Sequence, residues 1–210
     1  MSNKKLKYLL IVNSEPDIAD LFAEMLLMDI EKYIINTAYT GKDCLLTLKR
    51  DRPDMVLLDL ELSDMDGWEL VEKIKESKPD IPIVIVTSKI PGVDDFTRLS
   101  MVSDYLMKPV TIDCLYMAVR DALEIPALVE NCIKTLKGFN EIDRALLEKN
   151  IRLLRQSISD RKFFIMMRQL YPERKAKNET GIMRKLEALK IKIDREHSEL
   201  EDFKKRCLIA

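Results

Sequence analysis

Five short strand-like runs, each followed by a helix-like segment, set the limits on what this chain can fold into. The runs are Tyr8–Val12 (YLLIV), Tyr33–Ala38, Met55–Leu58 (MVLL), Pro82–Val86 (PIVIV) and Tyr105–Met107. The continuous apolar ones predict strands buried on both faces. Helices are expected over Asp17–Asp29, Gly41–Arg50, 67–77, 93–101 and Thr111–Glu124. Pro16 suits the first turn of the first helix, where its missing N–H has no partner to lose. Five such units with short connections imply a parallel sheet covered by helices on both faces. In an open sheet of that kind, chemistry collects beyond the carboxyl ends of the strands. The polar residues that fall there are Asn13, Ser14, Asp59, Thr87 and Lys108.

From about Ile125 the strand signal is gone and the chain reads as all-helical. Pro126–Lys137 continues the fifth helix beyond a kink, up to Gly138. Ile142–Ile158 carries Leu147, Ile151, Leu154 and Ile158 at helical spacing, and an apolar stretch over Arg161–Leu170 is stopped by Tyr171-Pro172. Residues 173–181 (ERKAKNETG) read as a basic linker or loop. A last helix, 182–206, carries Ile182, Leu186, Leu189, Ile193, Glu196, Leu200, Phe203 and Cys207 in alternating steps of four and three. That is a coiled-coil seam with Glu196 as its one polar position. It serves either packing between chains, as in a homodimer, or packing inside the chain's own small bundle.

Charge divides the chain at the same place. Residues 1–124 hold 15 Lys and Arg against 23 Asp and Glu, a balance of −8, and residues 125–210 hold 20 against 13, a balance of +7. An acidic domain over 1–124 and a basic one over 125–210 are two functional units. The basic half has the charge to attract nucleic acid or an acidic neighbour. No apolar run approaches the ~20 residues of a bilayer span, so no membrane partner is expected. The opening MSNKKLKYLLIVNSEPD has the charged and apolar parts of a signal peptide. Its apolar run is too short, and Asn13-Ser14-Glu15-Pro16-Asp17 follows in place of a small-residue cleavage site, so it reads as a strand. The four cysteines, Cys44, Cys114, Cys132 and Cys207, are scattered without a C-x-x-C pair, which fits unpaired thiols in a reducing cytoplasm.

Three segments stand in order at the later strand ends: Pro53–Gly67 (PDMVLLDLELSDMDG), Thr87 after PIVIV, and Asp104-Tyr105-Leu106-Met107-Lys108-Pro109. Together they resemble the motifs of response-regulator receiver domains, over residues 6–124 of this chain. The resemblance implies a flavodoxin-like, doubly wound α/β fold with a five-stranded parallel sheet of order 2-1-3-4-5. It implies a phosphorylation-dependent switch supplied by a histidine kinase. Asp59 would be the carboxylate nucleophile that forms an aspartyl-phosphate. Lys108 would give a fixed ammonium to the phosphoryl oxygens, and Mg²⁺ held by carboxylates and waters would supply the remaining positive charge. Thr87 would hydrogen-bond the phosphoryl group as its loop moves inward, with Tyr105 turning into the space vacated. Lys108-Pro109 is expected as a cis peptide.

The chain departs from the family pattern where a cation would be held. Two acids are usual after the first strand; here stand Asn13 and Ser14, followed by Glu15. Ser14 occupies the position of the direct metal-ligating carboxylate. That leaves a weakened Mg²⁺ site of Asp59, Glu15, Glu61, Ser14 and Asn13. Glu61 either aims a carboxylate at the metal, pairs with Lys89, or points to water. Ser63 stands where the family's loop often has proline. The Thr87-to-Lys108 segment is slightly short, carries Ile90-Pro91-Gly92 and lacks the usual Gly-Ala before Asp104.

The tail shows no helix-turn-helix spacing, P-loop, Cys/His metal cluster or motif-placed pair of catalytic carboxylates. His197, the only histidine, lies beside the seam and reads as a solvated helical residue. No residues in the tail nominate an enzymatic reaction, and a receiver catalyses only its own phosphoryl acceptance and hydrolysis. Three readings of the whole chain follow. One is a switch whose helical tail dimerises or binds a partner protein. Another is a nucleic-acid binder using Arg161-Lys162 and Arg174-Lys175-Ala176-Lys177. The third is a degenerate receiver acting as a phosphorylation-independent scaffold.

Overall fold

The computed structural model describes residues 6–28, 33–135, 141–171 and 180–209. Strands β1 (Lys7–Val12), β2 (Tyr33–Ala38), β3 (Met55–Leu58), β4 (Ile83–Thr87) and β5 (Asp104–Met107) form one parallel sheet of order β2-β1-β3-β4-β5. Helices α1 (Pro16–Leu27), α2 (Gly41–Arg50) and α3 (Gly67–Ser77) alternate with the first strands, and α4 (Ile112–Thr135) follows β5. The expected fold and strand order are therefore found. Leu9, Ile11, Met55, Leu57, Val84 and Val86 build one core with Phe22 and Leu26 of α1 and Leu115 and Val119 of α4. The alternate residues Leu10, Val56, Leu58, Ile83 and Ile85 are equally buried, so both faces of the sheet are covered. Each such side chain contributes about 1.5–3 kcal/mol relative to exposure.

Contacts divide the chain into two compact units. One comprises the chain up to Ile90 together with Met101–Glu124; the other comprises Pro91–Ser100 and the chain from Ile125 onward. Pro91–Ser100 carries a correction to the expected helix over 93–101. It forms two 3-10 turns, Val93–Phe96 and Arg98–Met101, rather than one α-helix. The Asp95 carboxylate accepts the Gly92 N–H at 2.8 Å, and the Asp95 N–H returns to the Gly92 carbonyl at 3.2 Å, which closes a turn too tight for α-helical pairing.

In the second unit, α5 (Glu141–Leu170) and α6 (Thr180–Ile209) pack as an antiparallel pair: Met167 meets Ile182 and Leu186, and Asp160 meets Lys192 further along α6. The segments expected over 142–158 and 161–170 are thus one helix. α4 likewise runs without a boundary past Glu124 and through Pro126. The inward positions of α5 include Asn150, Ser157, Asp160 and Met167, while Leu154 and Ile158 of the expected apolar stripe are exposed. On α6, Ile182, Leu186, Ile193 and Glu196 of the predicted seam are buried within this single chain. Phe96 joins this unit edge-on to Phe163, with ring centroids 5.1 Å apart, and Tyr171 donates to the Pro91 carbonyl at 3.4 Å. His197, Arg161 and Lys162 are exposed. The basic stretch Arg174-Lys175-Ala176-Lys177, Gly138 and most of the expected 173–181 loop lie outside the described residues. No described helix is long and apolar enough to cross a membrane.

Candidate functional site

Strand register builds the site. Val12 pairs with Leu58, so Asn13 and Asp59 emerge side by side; Leu58 pairs with Ile85, and Thr87 with Met107, so Thr87 and Lys108 emerge on the neighbouring strands. Asp59 is 3% exposed. Its Oδ2 accepts from Lys108 Nζ at 2.6 Å and from Asn13 Nδ2 at 3.2 Å, and its Oδ1 accepts from the Glu61 N–H at 3.0 Å. A carboxylate held by one ammonium and two amide donors at the end of a central strand is fixed in one orientation and is not a freely solvated acid. The Lys108-Pro109 peptide is cis, as expected.

The backbone beyond Asp59 is pinned at Gly67. A Cβ on Gly67 would lie 2.4 Å from Leu60 Cα, and the Gly67 N–H bonds the Leu60 carbonyl at 3.2 Å, so only glycine admits this approach. Asp66 then caps α3, accepting from Trp68 and Glu69 N–H at 2.9 and 3.2 Å. In the same loop Asp64 accepts from Gly41 and Lys42 N–H at 2.8 and 3.0 Å. Slight desolvation acts to raise the Asp64 carboxyl, but these amides outweigh it and hold the group below the usual carboxylate range.

The predicted residues do not all converge. Thr87 is fully buried and its hydroxyl accepts the Lys89 N–H at 3.2 Å. Tyr105 is buried, donates to the Lys89 carbonyl at 2.6 Å and stacks on Trp68 at 6.3 Å between centroids. The proposed Glu61–Lys89 pair is not formed. Lys89 Nζ lies 3.6 Å from Asp66 Oδ2, the oxygen that capping leaves free, and Glu61 is exposed. Glu15 is also exposed, and its N–H donates to Asn13 Oδ1 at 2.9 Å. Ser14 Oγ accepts the Ser63 N–H at 2.9 Å. Among the described residues no group of three or more His, Cys, Asp or Glu could hold a metal ion. Asn13 and Ser14 are thus engaged with the protein, and Asp59, the one buried carboxylate of the site, already accepts three hydrogen bonds, a set that does not fit a hard divalent cation. Sequence reasoning missed Asp66 as the partner of Lys89 and Trp68 as the neighbour of Tyr105. The one available signal was that Trp68 is the chain's single tryptophan, directly after the motif glycine.

The family described as "Response regulator receiver domain" matches residues 9–120. The chain is 35% identical over 161 residues to the transcriptional regulatory protein GlrR of Escherichia coli, covering 75% of this chain and 35% of that protein. It is 34% identical over 125 residues to the regulatory protein LuxO of Vibrio cholerae, covering 58% of this chain and 26% of that one. The chain therefore spans well under half the length of these curated relatives. Among solved structures it is similar to the response regulator TrrA of Thermotoga maritima in complex with Mg²⁺-BeF. The identity is 28% and the TM-score 0.51, over 56% of this chain and all of that one.

Proposed function

Because the chain belongs to the response-regulator receiver family, we propose that Asp59 accepts a phosphoryl group from a histidine kinase and that the helical unit carries the response. The observation that carries this reading is the buried Asp59 carboxylate, fixed by Lys108 at 2.6 Å and by the amides of Asn13 and Glu61. Attack by a carboxylate oxygen forms an O–P bond as the donor's P–N bond breaks, and the departing imidazole keeps the electron pair and takes a proton. Lys108 and Asn13 then donate to phosphoryl oxygens in place of the carboxylate, where charge builds in the transition state.

Response follows from how Thr87 and Tyr105 share Lys89. The Lys89 N–H rests on the Thr87 hydroxyl and its carbonyl on the Tyr105 hydroxyl. When Thr87 turns its hydroxyl to a phosphoryl group, the Lys89 amide loses its acceptor and the backbone there resettles. Two residues later begins Pro91–Ser100, which belongs to the helical unit. In that unit the exposed Leu154, Ile158, Ile165 and Ile191 favour a second copy or a partner protein as the recipient of the signal over nucleic acid. The regulatory names of GlrR and LuxO accord with such a role.

Incubation with a small phosphodonor, read by intact mass, tests the reading. The expected result is one phosphoryl adduct on the wild type and none on Asp59→Ala. An adduct of equal yield on both would remove Asp59 from the mechanism.

A further inference from the structure

We propose that the Asp59 pocket takes a phosphoryl-like anion without a divalent cation, its neutral donors standing in for the ion. This rests on the reading of Asp59 as the acceptor. The orientation of Asn13 is decisive. Its Oδ1 accepts the Glu15 N–H at 2.9 Å, so the other end of the amide, Nδ2, is the one that faces Asp59 Oδ2 at 3.2 Å. Reversing the amide would set oxygen against carboxylate and N–H against N–H. An NH₂ group cannot ligate a cation, but it donates equally well to a carboxylate or a phosphoryl oxygen.

Ser14 adds a second substitution for the ion. Its hydroxyl accepts the Ser63 N–H at 2.9 Å and lies 3.4 Å from Ser63 Oγ. The loop after β1 is thereby tied to the loop after β3 by direct hydrogen bonds, with no ion needed to bridge them. Formal charge agrees. Asp59 and Lys108 cancel, Asn13, Ser14 and Thr87 are neutral, and Glu15 and Glu61 are exposed. A dianion entering this pocket meets an ammonium and an amide donor and only the one carboxylate it must join. The repulsion that a cation would neutralise in a pocket of several acids is absent here. A cation meets one carboxylate whose two oxygens already accept three hydrogen bonds.

The test uses the full chain and beryllofluoride as the probe, with binding followed by fluorine NMR in excess Mg²⁺ and in chelator. The wild type is expected to bind with affinities within about threefold of each other in the two buffers, a difference below about 1 kcal/mol. The double variant Asn13→Asp/Ser14→Asp is expected to bind at least about tenfold more weakly in chelator than in Mg²⁺. Wild-type binding that needs Mg²⁺ overturns cation independence and leaves the Asp59 reading standing. No wild-type binding in either buffer overturns both.

Discussion

Removing the Lys108 ammonium isolates the contact on which the site is built. At 2.6 Å the Lys108–Asp59 pair has a raw attraction of about 6 kcal/mol at an effective dielectric near 20. Desolvation of the two ions offsets most of it, so the pair as a whole adds little net stability. Deleting one partner is different, because it leaves a buried charge without its counter-ion, typically about 3–5 kcal/mol. Two features place Lys108→Ala at the lower end, near 3 kcal/mol. The lysine side chain is 19% exposed, so water can enter in its place, and the amides of Asn13 and Glu61 still serve the carboxylate. In an Asp59→Asn background the deletion orphans no carboxylate, and it should cost about 1 kcal/mol, the ammonium-to-amide hydrogen bond partly offset by removing an ammonium that has no counter-ion. The cycle therefore predicts a coupling of about 2 kcal/mol. Urea unfolding followed by tryptophan fluorescence reads it directly, since Trp68 is the only tryptophan and is fully buried in the receiver unit. With a slope near 1.5 kcal/mol/M, the midpoint should fall by about 2 M for Lys108→Ala alone. Equal costs in both backgrounds would refute the electrostatic account of the site.

Other perturbations bear on separate parts of the structure. Gly67→Ala should destabilise the receiver unit by about 2–3 kcal/mol, because its Cβ would overlap Leu60 backbone; unchanged urea unfolding would contradict that close approach. Glu196 is buried, its Oε2 has no donor among the described residues, and its carboxyl is raised above the usual range, first by burial and then by Asp160. Stability from such a group is full below its unfolded pKa and is lost as pH rises through the folded value. Glu196→Gln should therefore stabilise the helical unit by about 1 kcal/mol at neutral pH and by little near pH 4, as read by circular dichroism melting; an equal gain at both would contradict the assignment. Burial pushes the Cys44 thiol up to about 12, whereas Cys114 is exposed. Cys114→Ser should lower the fast phase of thiol labelling of the folded protein, and Cys44→Ser should leave it unchanged.

The sheet and the site's inner residues were legible because their signals are local. The runs of β1, β3, β4 and β5 end in Asn13, Asp59, Thr87 and Lys108, which the parallel register brings to one end of the sheet, so order along the chain carried most of the geometry. Pro91–Ser100 was not legible, because Asp95 closing on Gly92 and Phe96 turning to Phe163 depend on a side chain's return bond and a partner nearly 70 residues away. α5 was read in two pieces because Ser159-Asp160 falls as a polar step between the two apolar stretches. Asp160 is an inward position, satisfied by Gln156 on its own helix and by Lys192 on α6. The loss of acids at Asn13 and Ser14 was visible in the sequence. That Asn13 turns its amide, not its carbonyl, toward Asp59 could be learned only from the Glu15 N–H that fixes it.

Hydrogen exchange with and without beryllofluoride tests most directly whether Asp59 commands the helical unit. Occupation of the pocket should alter amide protection in the Lys89–Met101 peptides, where Thr87 and Tyr105 share Lys89, and in α5 and α6. A change confined to peptides bearing Asn13, Asp59–Ser63 and Lys108, with Pro91–Ser100 and the helical pair unmoved, would contradict the account.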